Sequence, residues 1–156
     1  MSLFVSTDFN PPEALQTTAF YFTPLNEQVV ELDFTAVMSS VPQLKGIFAT
    51  KPDWPKADMT LEENRQSLAQ HAAEFNEKKA FAYAILNPKK TRCLGSVYID
   101  PGVNNEFDSE ITFWLRNDSQ ELNNTLRLCI LHWLAEHWPF DRVRLISTKY
   151  QASFSL

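Results

Sequence analysis

Three strand-like stretches follow one another between residues 80 and 115, with no room for a helix between them. "AFAYAIL" (Ala80–Leu86) alternates rings with small residues, "NPKK" turns the chain, and "CLGSVYI" (Cys93–Ile99) returns as its hairpin partner. After the Pro101–Gly102 loop, Ser109–Leu115 alternates Ile111, Phe113 and Leu115 with Glu110, Thr112 and Trp114. Strands joined this closely pair antiparallel, because a parallel connection needs a crossover of a dozen or more residues. The alternating strand–helix order of a doubly wound dinucleotide fold is thereby excluded.

The flanking segments supply helices. "TTAFYFTPL" (Thr17–Leu25) reads as a first strand closed by Pro24. Asn26 caps a helix whose apolar stripe is Val30, Phe34, Val37 and Met38. A loop over residues 41–59 holds Pro42, Gly46, Pro52 and Pro55. Thr60 and Glu63 then form a capping box for a second helix with Leu61, Leu68, Ala72 and Phe75 inward. A third helix is expected from Ser119 to His137, with Leu122, Leu126, Ile130, Trp133 and Leu134 on one side. Arg142–Thr148 is a fifth strand. The expected architecture is α/β (α+β): a mixed, mostly antiparallel central sheet flanked by helices, in the order β-α-α-β-β-β-α-β. Residues 1–16, with Pro11 and Pro12, read as an irregular N-terminal segment, and residues 17–156 as a single domain.

The chain has 156 residues, enough for one well-buried domain. Its formal net charge of -5 lacks the basic footprint of a nucleic-acid binder. No apolar run approaches the ~20 residues that cross a membrane. "MSLFVSTDFNPP" has no signal-peptide pattern, so the expected location is cytoplasmic and reducing. Cys93 and Cys129 sit in apolar runs and read as buried thiols. His71, His132 and His137 are scattered over two helices, and no zinc or P-loop spacing occurs, so no metal is expected.

Glu110 is the carboxylate of most interest. It projects with Thr112 and Trp114 from the strand face opposite Ile111, Phe113 and Leu115. In a cleft it would act as a general base; on an open face it would be an ordinary solvated or ion-paired carboxylate.

The element order, with "FAYAIL", "CLGSVYI", "DSEITFWLR" and "LRLCILHWL", resembles the GNAT superfamily of N-acetyltransferases from about Thr17 to Thr148. Trp54–Pro55, Thr60–Asn64 and Trp138–Phe140 are similar to the signatures of a poorly characterised subgroup. The resemblance implies that the strand Ser109–Leu115 and the next one splay apart around acyl-CoA. Acetyl-CoA would be the co-substrate, and Glu110 would deprotonate a small-molecule or peptide amine. Tyr150 is the candidate general acid. Phe113, Trp114, Leu115, Arg116, Asn117, Ser119, Gln120 and Asn123 would hold the cofactor. The loop "GIFATKPDWPKADMT" would shape the acceptor pocket.

The sequence departs from the superfamily at two places. The glycines of its pyrophosphate loop are missing, and Asp118 and Glu121 instead fit an Asp-x-x-Glu capping box over the donors that a phosphate would use. Only "KYQASFSL" follows the fifth strand, so its edge needs cover, from the N-terminal "LFVSTDF" or from a second subunit in a homodimer. These departures keep a second reading open, a non-catalytic GNAT-like scaffold or binding protein that has lost tight CoA binding.

Overall fold

The computed structural model describes residues 3–148 and 151–156. Among the described residues seven strands form one sheet in chain order: β1 Leu15–Gln16, β2 Tyr21–Pro24, β3 Phe81–Leu86, β4 Cys93–Pro101, β5 Ser109–Leu115, β6 Arg142–Ile146 and β7 Gln151–Ser155. Every neighbouring pair is antiparallel except β5–β6. That pair is parallel because α4 (Asn123–His137) crosses between its two strands. The other helices are α1 (Val30–Met38), the single turn α2 (Val41–Leu44) and α3 (Leu61–Asn76). α3 starts where the sequence says: Thr60 Oγ1 accepts from the Glu63 amide at 3.1 Å, and Glu63 Oε1 accepts from the Thr60 amide at 3.0 Å. None of the helices among the described residues is long and apolar enough to cross a membrane.

The strand alternation sorts the core onto two faces. On one side Phe81, Tyr83, Ile99, Ile111, Phe113 and Leu145 meet Leu126, Ile130, Trp133 and Leu134 of α4. Edge-on ring contacts dominate there, with Trp133 4.9 Å from Tyr83 and 5.2 Å from Phe22 between centroids. On the other side Ala82, Ala84, Tyr98 and Trp114 lie under Val30, Ala36 and Val37 of α1 and Leu68 of α3. Gly95 lets β4 and β5 meet at that level, since a Cβ there would lie 1.9 Å from the Trp114 carbonyl oxygen.

Four expectations need correction. The first predicted strand is a small hairpin, in which Thr17 Oγ1 accepts from the Phe20 amide at 2.9 Å and turns β1 into β2. Leu15 and Gln16, assigned to the irregular segment, are therefore in the sheet. The edge of β6 is covered by β7, whose register runs from Arg142↔Ser155 to Ile146↔Gln151. This removes the reason for placing the N-terminal segment or a second subunit there. The N-terminal segment instead closes the α4 face: Phe4 stacks on Phe140, Phe9 meets Trp138, and the Tyr83 hydroxyl donates to the Pro12 carbonyl at 2.6 Å. Finally, the third long helix starts at Asn123, after a tight 3-10 segment over Asn117–Leu122.

Candidate functional site

The parallel ladder between β5 and β6 has the register Ser109↔Val143, Glu110↔Arg144, Ile111↔Leu145 and Thr112↔Ile146. β5 runs on to Leu115 beyond the last of these pairs. Because period-two alternation also holds in β4, Asp100 pairs with Glu110, and Tyr98 with Thr112. The α1/α3 face of the sheet thus carries one row reading Asp100, Glu110, Arg144 and a second reading Tyr98, Thr112, Ile146.

Above these rows is a cavity of about 540 Å³, roofed by the segment between α2 and α3 and by one side of α3. Glu110, Asp100 and Thr112 line it from the sheet; Phe48, Lys51 and Trp54 line it from the connecting segment, and His71 from α3. Phe48 packs edge-on against Tyr98 with centroids 4.9 Å apart, which fixes the segment over the sheet. The "GIFATKPDWPKADMT" loop therefore contributes to the cavity wall, Gly46 through Lys51 and Trp54 among its lining.

The ionisable groups around this cavity are strongly biased by burial. Loss of water, then the nearby Glu74 and Glu110 carboxylates, push Asp100 up to about 6, with Lys51 acting in the opposite direction. Burial, then the charge of Lys51, pushes His71 down to about 4, so it is a neutral imidazole at neutral pH. At the inner end Asp33 of α1 is 2% exposed, and burial raises it to about 6 while Asn64 and Ser96 hold it back. Asn64 Nδ2 donates to Asp33 Oδ2 at 2.9 Å. Asp33 Oδ1 has no hydrogen bond in good geometry among the described residues, and neither has the Ser96 hydroxyl beside it.

The residues expected to hold a cofactor fall into two groups. Phe113 and Leu115 point into the α4 face, which leaves them only their backbone. Trp114 lies below the cavity, 1% exposed, with Nε1 donating to the Tyr98 hydroxyl at 3.2 Å. Arg116, Asn117, Ser119, Gln120 and Asn123 cluster at the turn into α4. Gln120 Nε2 donates to the Leu115 carbonyl at 2.8 Å and the Arg116 carbonyl at 3.1 Å. Asn123 Nδ2 donates back to Gln120 Oε1 at 2.9 Å. The Asn117 amide is held by Ser40 Oγ at 2.9 Å.

The expected capping box does not form. Asp118 pairs with Arg116 Nε at 3.1 Å and with the Arg92 guanidinium. Desolvation acts upward on this carboxyl, but the Arg116 and Arg92 charges outweigh it and hold Asp118 below the usual range. Two guanidiniums within reach attract Asp118 more than the backbone donors three residues on, and Ser119 has non-helical backbone angles. α4 then begins after Leu122 with no side-chain cap. Tyr150 lies outside the described residues.

Sequence reading missed the importance of Asp33, Asn64, Asp100 and Arg144. Asp33 and Asn64 did carry a signal, since each interrupts the apolar stripe of its helix: Asp33 between Val30 and Val37, Asn64 between Leu61 and Leu68.

No family profile matches the sequence, and no curated protein matches it either. Solved structures do match. A Vibrio cholerae protein assigned as a ribosomal-protein-serine acetyltransferase superposes with a TM-score of 0.67 at 14% identity, over 88% of this chain and 75% of that one. RimL, a ribosomal L7/L12 alpha-N-protein acetyltransferase, gives 0.63 at 18% identity, over 84% and 68%. The microcin C7 self-immunity acetyltransferase MccE, solved with acetyl-CoA and AMP, gives 0.57 at 16%, over 83% and 69%. With its parallel β5–β6 pair inside an otherwise antiparallel sheet, the chain has the fold of the GNAT superfamily of N-acetyltransferases.

Proposed function

We propose that the protein transfers an acetyl group from acetyl-CoA to an amine, with Glu110 as general base. One observation carries the reading: Glu110 lies in a cavity of about 540 Å³ at the parallel β5–β6 ladder, between Asp100 and Arg144. An ammonium entering there gives its proton to the Glu110 carboxylate, directly or through a water. The freed nitrogen lone pair attacks the thioester carbonyl carbon, the C–N bond forms, and the C–S bond breaks. The nitrogen, cationic once bonded to the acyl carbon, gives up its second proton, and the departing sulfur takes one, with Tyr150 the candidate donor that regains its own proton from the nitrogen. Asp100, raised to about 6 beside Glu110, adds a second carboxylate that favours a nearby ammonium.

Acetyl-CoA supplies the activated thioester. The β5 backbone at Phe113–Leu115 would hold its pantetheine, and Arg116, Asn117, Ser119, Gln120 and Asn123 its diphosphate end. The turn fits such an anion in part: α4 opens without a side-chain cap, and two guanidiniums stand beside it. Asp118 already occupies those guanidiniums, and Gln120 already occupies the Leu115 carbonyl. That competition favours a second reading, a GNAT-like scaffold without catalysis.

Thermal unfolding with acetyl-CoA separates the two. Saturation at ~100 times Kd stabilises the fold by about 2.7 kcal/mol. No shift at millimolar acetyl-CoA would leave the scaffold as the surviving reading.

A further inference from the structure

Asp33 lines the inner end of the same cavity that Glu110 and Asp100 line nearer the β5–β6 ladder. It is 2% exposed, one of its carboxylate oxygens has no hydrogen bond in good geometry among the described residues, with only the Ser96 hydroxyl beside it, and the other is held by Asn64 at 2.9 Å. A buried carboxylate without a cationic partner is costly, and it is satisfied by a ligand that brings the cation. Asp33, Glu74, Asp100 and Glu110 face the cavity against Lys51 and Arg144, so its walls carry more acid than base. Leu25, Ile47, Phe48, Trp54, Leu68 and Tyr98 give the lining a large apolar and aromatic share.

We infer that the acceptor is a linear amine with a second cationic nitrogen. One nitrogen lies at Glu110, a methylene chain runs over the rings, and the other nitrogen pairs with Asp33. The inference rests on the acetyl-transfer reading only for the fate of the nitrogen at Glu110. Ser96, beside Asp33, and Asp100, beside Glu110, are four residues apart on β4, on the order of 13 Å at the usual strand rise. Long diamines fit that separation better than short ones. The aromatic walls suit the chain between the charges, through apolar contact and cation–π attraction.

Calorimetric titration of the full chain, without acetyl-CoA, with diaminooctane and octylamine tests the inference. Wild type should bind the diamine about tenfold more tightly or better, the usual worth of a charge-assisted hydrogen bond. Asp33→Asn should bring the two affinities together by weakening the diamine. Asp33→Ser repeats the test should the first variant fold poorly, with the melting temperature recorded for both. Equal affinities in wild type, or a diamine preference that survives both substitutions, would overturn the inference. The outcome is independent of turnover. Release of CoA with monoamines and no diamine preference would sustain acetyl transfer and end this inference; an Asp33-dependent preference in a protein without turnover would do the reverse.

Discussion

Asp33 gives a stability prediction whose magnitude follows from its surroundings. Burial lifts its carboxyl from the usual 3.8 to about 6 in the folded chain. Because the folded state holds this proton more tightly than the unfolded one, stability falls as pH rises between those two values. Two units of difference at 1.36 kcal/mol each make the ionised carboxylate cost about 3 kcal/mol above pH 6. Asp33→Asn is isosteric, keeps an acceptor for the Asn64 amide, and does not titrate. The variant should therefore gain on wild type by about 3 kcal/mol between about pH 4 and about pH 8. For a domain of this size that is about 6–12 °C in melting temperature. Thermal unfolding of both proteins across that range measures it. A difference that stays flat with pH, or a variant less stable than wild type at pH 8, would refute the reasoning, because either result means that the carboxylate is well partnered inside the fold.

Two other substitutions probe separate parts of the structure. Asp118→Asn should free Arg92 and Arg116 for an anion and tighten acetyl-CoA about fivefold, the effect of removing ~1 kcal/mol of repulsion from a diphosphate; calorimetry that finds no change would place the diphosphate elsewhere. Gly95→Ala should lower stability by about 1–3 kcal/mol or more, since its methyl group meets the Trp114 carbonyl at 1.9 Å and pushes β4 from β5. Urea unfolding checks this, and a neutral result would contradict the close approach.

Much of the sheet was legible in the sequence because its strands alternate cleanly. Ile111, Phe113 and Leu115 face α4 while Glu110, Thr112 and Trp114 face the other layer, as their spacing says. β7 was not legible: in Gln151–Ser155 only Phe154 is strongly apolar, so the segment has no buried face of its own and owes its conformation to β6. The turn before α4 misled for a different reason. Asp-x-x-Glu is a sound local pattern, but Arg92 is distant in sequence and adjacent in space, and its charge redirects Asp118. On α1 the apolar stripe was drawn through Phe34, whereas Val30, Asp33, Ala36 and Val37 are the buried positions. A helix that buries a carboxylate breaks binary patterning, and here that break marks the inner end of the cavity. Cys93 is buried as expected, whereas Cys129 is only half-buried, on the rim of the α4 stripe.

In the proposed reaction Glu110 takes the proton from an amine bound beside the β5–β6 ladder. That step is tested most directly by amine-dependent release of CoA from acetyl-CoA, measured for wild type and Glu110→Gln, with acetyl-CoA binding measured in parallel. Wild type should turn over and the variant should lose about 100-fold or more, the usual contribution of a general base, with acetyl-CoA binding unchanged. Turnover by Glu110→Gln at the wild-type rate, with the same pH profile, would contradict that step.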